Sequence, residues 1–276
     1  MEIRISSKHK LFDLRIKELF HYKDLIYLFA KKNYATRYKQ TIFGSAWIVI
    51  TPLLSILFYS IIFKNIAGLS TDSVPGFLFY LSGTVIWNFF YSCVSGNSNI
   101  FVLNTNLFSK IYFPRLSIPL ATILTSLLDF VIQIILLVVF VLFYYFKGYS
   151  FHFTNALFLI PVVILELALF GLSLGLLFSS LNVKYRDLNL LLHFLMQIWM
   201  YACPIVYSLS VIPKRFINYY FFNPVATAVV VFKNAIFGID YIPLYSLFIN
   251  FVTTLILFVL SLLVFNHVEK DFVDMV

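Results

Sequence analysis

The sequence predicts an all-α integral membrane protein with six transmembrane helices, an amphipathic N-terminal helix in the cytoplasmic interface, and short re-entrant half-helices between spans five and six. Three observations lead there. Hydrophobic residues make up 61% of the chain and charged residues 12%, where an ordinary soluble domain carries ~25% charged residues. Uncharged runs recur at lengths near the ~20 residues that a helix needs to cross a bilayer core. The cations are segregated: ten of the 20 Lys and Arg precede residue 40, and cation-rich flanks stay on the cytoplasmic side of a membrane.

Each element follows in order. Over residues 1–40, Phe12, Ile16, Leu19, Phe20, Tyr22, Leu25, Ile26 and Phe29 recur at helical spacing among Lys and Arg, the pattern of a helix lying in the interface. Lys32, Arg37 and Lys39 then form a collar before the first span, residues 43–63, and orient it from inside to outside. A polar turn leads to the second span, 77–95. The inner loop 96–118 carries a modest apolar stripe, Ile100, Leu103, Leu107 and Ile111, consistent with a short helix parallel to the membrane.

The third span, 119–146, and the fourth, 153–181, are joined by an outer turn at Lys147-Gly148 and are long enough to tilt. An inner loop at 182–187 precedes the fifth span, 188–209, near whose outer end Pro204 should break or kink the helix. Residues 210–243 are too polar and interrupted to cross. Asn223 as N-cap, Pro224 at the first helical position and Gly238 at the end delimit a short helix there. About 14 residues make ~21 Å of helix, too short for the core. The expectation is therefore two half-helices dipping into the outer leaflet. The sixth span, 244–266, returns the chain inside.

This topology places 15 cations inside, the ten near the N-terminus with Lys110, Arg115, Lys184, Arg186 and Lys270, against five outside. Both termini are then cytoplasmic, and the whole chain, 1–276, is one membrane domain. The net charge of +8 fits this bias and anionic headgroups better than nucleic acid. Residues 1–40 contain no apolar signal-peptide core.

Chemistry is sparse. No glycine-rich loop ending in Lys-Ser or Lys-Thr occurs, so ATP has no phosphate loop here. Zinc and hydrolase motifs are missing too, and Cys93 and Cys203 sit in apolar runs as packing residues. Asp129 and Glu166 fall inside predicted spans. They suit either an ion relay, which would suggest an ion-coupled secondary transporter, or interhelical hydrogen bonding, the preferred reading. Gly171 and Gly175 form a small-x-x-x-small face, read as packing. Aromatic residues, 20% of the chain, suit an interface belt or a surface for stacking sugar rings, and the residues alone favour the belt.

Several stretches, in order, resemble one known family. They are Arg37-Tyr38-Lys39-Gln40-Thr41-Ile42-Phe43-Gly44 with Trp47 and Pro52, then Gly83 with Trp87-Asn88-Phe89-Phe90, and Lys110-Ile111-Tyr112-Phe113-Pro114-Arg115. Leu181-Asn182-Val183-Lys184-Tyr185-Arg186-Asp187, Pro204-Ile205-Val206-Tyr207 and Asn223-Pro224 complete the set. Together they resemble the membrane subunit of ABC-2-type exporters of polysaccharide and polyol phosphate. The resemblance implies a homodimer in the inner membrane, two separate ATPase subunits that hold the ATP and Mg, and a lipid-linked glycan as cargo. O-antigen ranks before capsule or teichoic acid.

By the same resemblance, ATPase coupling falls to Asn106, Phe108, Lys110, Tyr112, Phe113, Arg115, Arg186 and Asp187. The glycan path falls to Trp47, Tyr59, Trp87, Phe90, Tyr91, Trp199, Tyr201 and Tyr207, and the outer gate to Pro213, Arg215, Asn223 and Pro224. No metal site and no catalytic residue is implied.

Overall fold

The least hydropathic of the long helices is the most buried. A computed structural model describes residues 21–108, 113–185, 187–239 and 244–275, with the side chains of Asn106, Phe108 and residues after Glu269 left outside the description. In it, α3, Gly76–Asn97, is the central helix, with most of the other long helices packed against it. This inversion of the soluble rule is a membrane effect. Leu, Ile, Val and Phe lose nothing by facing lipid, whereas small and polar residues gain close packing and hydrogen bonds by turning inward.

The glycines do that work here. A Cβ at Gly171 would come within 2.6 Å of the Cys93 Cβ, and one at Gly175 would collide with Asn97. The small face of α7, Ile160–Asn182, therefore seats α3 within the same chain. Gly96 similarly admits Thr122 of α6, Ser117–Phe146. Polar pairs reinforce the fit: Asn88 donates to Gln133 at 3.1 Å, and Ser92 and Ser126 lie 2.8 Å apart.

The first span runs continuously over Gly44–Ile66, opening as a 3-10 turn, continuing as α2, Trp47–Tyr59, and ending in a π-helical stretch, Ser60–Ile66. Before it, α1, Lys23–Tyr38, lies along α6, where Thr125 donates to the Ala30 carbonyl at 3.4 Å. Gln40, with φ 66°, makes the sharp turn from α1 into the span. Residues 1–20 of the expected interface helix lie outside the described residues. After α3 come α4, Ile100–Leu103, and α5, Thr105–Phe108. Residues 155–182 form the fourth span, with a 3-10 turn leading into α7.

Two expectations need correction. The fifth span is not 188–209: α8 covers Leu188–Tyr201, and its 14 residues make ~21 Å, short of a ~30 Å core. Pro204 is the reason. It lacks a backbone N–H and its ring excludes the preceding turn, so the chain folds over residues 202–208, and Leu209 belongs to a 3-10 turn, Leu209–Val211. The second correction concerns the half-helices. α9, Lys214–Tyr220, is exposed, but α10, Pro224–Phe237, is buried along nearly all its length among α3, α7 and the turn at 155–159. It is inserted in protein rather than in lipid.

The two half-helices meet at 107°. The hinge is set by local chemistry, the Asn223 side chain accepting from the Val225 N–H at 3.1 Å; at the opposite end of α10, Gly238, at φ 68°, stops the helix in the left-handed region. Finally α11, Leu244–Met275, packs mainly on α7 and runs well beyond the predicted limit of residue 266. Among the described residues, five helices are long and apolar enough to cross a membrane, and six crossings result if the bent pair counts as one.

Candidate functional site

The ends of the helices sort into two faces. One carries α1, the loops after α3 and α7, and the end of α11; call it the basic end. The other, the far end, carries the loop 67–75, the turn at 147–154 and the segment 202–239.

At the basic end, Lys110, Tyr112 and Arg186 lie outside the described residues, as do the side chains of Asn106 and Phe108. Phe113 is buried, its ring 5.6 Å from that of Phe29 in α1. Arg115 reaches the end of α11, donating to the Glu269 carbonyl at 2.7 Å with its Nε 3.4 Å from the carboxylate. Burial lowers the pKa of this guanidinium, and the Glu269 charge opposes the shift. Both residues therefore brace the loop from within. Exposed at this end are Asp187, in the loop after α7, and two apolar residues of α4, Leu103 from the expected stripe, 77% exposed, and its neighbour Val102, which the sequence did not single out. The stripe through Leu103 was legible, but which face of it stays uncovered depends on packing.

Asp129 has a partner that the sequence gave no reason to choose. Arg37 Nη1 meets its carboxylate at 2.5 Å, and the Tyr38 hydroxyl donates to it at 3.3 Å. Burial, then the Asp129 charge, pushes the Tyr38 phenol up to about 12, which keeps it a donor. The residue thus fastens α1 to α6. Glu166 lies elsewhere, 2% exposed, beside an apolar cavity of about 300 Å³ between α7 and α11. Its Oε1 has no hydrogen-bond partner among the described residues.

The aromatic set divides. Trp87 and Phe90 are buried: Phe90 stacks on Phe170 at 5.5 Å and 12°, and meets Trp199 edge-on at 5.5 Å. These two rings are core, because α3 is the central helix. Trp47, Tyr59, Tyr91, Tyr201 and Tyr207 remain at least partly exposed. Trp47, Thr51, Ser55 and Tyr59 follow one another at four-residue spacing along the first span, and His193, Gln197 and Tyr201 do the same on α8. The two elements touch near their far ends, where Tyr59 reaches the Met200 sulfur at 3.7 Å, and α3 borders the second row, with Tyr91 2.9 Å from His193 Nδ1. Thr51, Ser55, His193 and Gln197 add hydrogen-bonding groups between the rings.

At the far end, the row meets the hinge. Trp199 donates to Asn223 Oδ1 at 3.3 Å, and a cavity of about 620 Å³ opens between Trp199 and Phe170 on one side and Asn223, Pro224 and Thr253 on the other. Tyr207 joins the end of α8 to α9, donating to the Tyr201 carbonyl at 3.1 Å with the Tyr220 hydroxyl at 2.9 Å. Pro213 and Arg215 are exposed at the start of α9. The loop between the first two spans is fastened to this segment as well: Asp72 accepts hydrogen bonds from Ser208 and from Ser210, the latter at 3.0 Å.

Comparison with known proteins places this arrangement. The profile of the ABC-2 type transporter family matches residues 24–237. The chain is 28% identical over 256 residues, covering 91% of itself and 94% of the relative, to an O-antigen export system permease protein RfbA of Klebsiella pneumoniae. A second protein of that name and organism is 29% identical over 255 residues, with the same coverage. One from Myxococcus xanthus is 28% identical over 197 residues, 71% of this chain and 73% of the relative.

Proposed function

The chain belongs to the ABC-2 type transporter family, and from that premise we propose that it is the membrane half of an exporter that carries a lipid-linked polysaccharide outward across the cytoplasmic membrane. It works as a homodimer driven by two separate ATPase subunits that hold the ATP and Mg. Both termini face the cytoplasm, at the basic end. The relatives named for O-antigen export favour that polymer over capsule or teichoic acid.

The observation that carries the reading is the pair of polar-aromatic rows on the first span and α8, which touch where Tyr59 meets Met200. A sugar ring presents apolar C–H faces and polar edges, so it suits a wall that alternates aromatic rings with hydroxyl, amide and imidazole groups. Trp47, Tyr59 and Tyr201 supply the rings, with Thr51, Ser55, His193 and Gln197 between them. Trp199, Tyr207, Asn223 and Pro224 stand where that wall meets the re-entrant hinge, and Pro213 and Arg215 flank it. This hinge is the gate.

ATPases dock on the basic end, against Val102 and Leu103 of α4 and against Asp187. Phe113 and Arg115 pass the movement inward, to α1 and α11. Closure of the ATPases around ATP then shifts an equilibrium between two bundle arrangements, by the difference in nucleotide affinity between them.

Gentle purification from the native membrane tests this. An ATP-hydrolysing subunit in equal amount is the expected result, with ATP-dependent loss of lipid-linked glycan from the loaded leaflet of reconstituted vesicles. A chain that purifies alone and moves solute along a proton gradient would overturn it. The geometry already gives Asp129 a different task, as the anchor of α1.

A further inference from the structure

We propose that Lys233 is the positioning residue of the far-end gate, its ammonium clamping α10 to the broken end of α8 and to α3. The proposal rests on the reading of the re-entrant segment as a gate and assigns the contact that holds it shut.

Lys233 is 1% exposed in the middle of α10, an expensive place for a cation in a membrane protein. Its surroundings explain how it is kept. The ammonium donates to the Pro204 carbonyl at 2.6 Å and lies 3.5 Å from that of Ile205. It also sits 3.2 Å from the centroid of the Phe79 ring. These acceptors are consequences of the break in α8. Both carbonyls stand in the turn that follows Tyr201, outside any helix, where Pro204, lacking an N–H, prevents the ladder from being rebuilt and leaves the carbonyls to find other donors. The aromatic face completes a cation site, and the occupant arrives on a different element.

Three parts of the far end converge on that one ammonium: the turn 203–205, α10 and α3. The turn is also seated directly on α3, since a Cβ on Gly83 would lie 3.0 Å from the Ile205 Cα. Phe79 and Gly83 are four residues apart, on one face of α3. Gly83 lets the turn approach and Phe79 helps hold the charge above it. The same turn joins Tyr201 to Tyr207, the outer end of the proposed glycan wall. Any displacement of α8 therefore reaches α10 through Lys233, and loss of the clamp releases α10 from the wall.

The test is conductance through planar bilayers, measured without nucleotide on the protein purified in the assembly in which it leaves the membrane. Lys233→Met keeps the length and packing of the stem and removes the charge. Lys233→Arg keeps the charge. The Met variant should raise the nucleotide-free leak roughly tenfold, the scale of losing one desolvated cation contact, and the Arg variant should restore most of the seal. Wild-type leak in the Met variant, or equal leak in both, would overturn the proposal. If the Met variant does not assemble, Phe79→Leu decides instead: a raised leak supports the clamp and an unchanged leak sinks it. This readout needs neither ATPase nor glycan, so absence of an ATPase partner would strike the exporter reading alone.

Discussion

At the scale of single residues, Asp129 and Lys233 are each met by a partner from another element. Arg37 and Asp129 are the clearest pair. Arg37→Met leaves a carboxylate mostly enclosed, and the cost should be on the order of 1–3 kcal/mol. Faster amide exchange across α1, with the helices around α3 unchanged, is the expected signature. Adding Asp129→Asn should restore part of the loss, because the orphaned charge is then gone; a double-mutant cycle with no coupling would remove the pair from the account. In the sequence, Asp129 was legible as an intramembrane acid. Its partner was not, because Arg37 had already been explained as part of the topogenic collar. One residue serves both purposes.

At the scale of elements, capping chemistry was the most readable signal and apolar run length the least. Asn223, Pro224 and Gly238 bound α10 as expected, since a cap is a contact between a side chain and its own backbone. Asn223→Ala removes the cap and the Trp199 acceptor together, and should destabilise the protein by ~1 kcal/mol while increasing the exposure of Trp199, measurable by fluorescence quenching. The fifth span misleads because an apolar run reads alike whether it crosses lipid or folds back into protein. Trp87 and Phe90 escape for the same reason: aromatic composition does not say whether the neighbour is a lipid or another helix. The Gly171–Gly175 face was legible as packing, and its partner is α3 of the same chain. Gly175→Leu drives a side chain into Asn97 and should abolish accumulation of folded protein in the membrane, whereas Leu190→Ala, on an exposed face, should leave it unaffected.

For the whole molecule, the fold leaves its basic end with uncovered apolar surface in a region that faces water in the proposed topology. Leu103→Asp should reduce the ATPase recovered with the chain by tenfold or more, roughly the effect of losing a central apolar contact, with thermal stability unchanged. Equal recovery would move the docking surface elsewhere. Five of the six expected spans were legible, in order, because lipid imposes length and hydropathy on each span separately. The clamp at Lys233 was not: its acceptors are backbone carbonyls, present at every position, and only tertiary structure distinguishes two of them.

The length of α11 has a mechanical consequence. Near one end, Asn250 donates to the Phe221 carbonyl and to the Thr227 hydroxyl, both at 3.0 Å, across the re-entrant hinge. Near the other, Glu269 receives Arg115. The 19 steps from Asn250 to Glu269 make ~28 Å of helix, so a tilt of about 5° about one end carries the other sideways by ~2.5 Å. That is about the length of a hydrogen bond. In the proposed transport cycle, a helix anchored at both faces would convert a small rotation at its basic end into an exchange of bonding partners at the hinge, with no relay of side chains between.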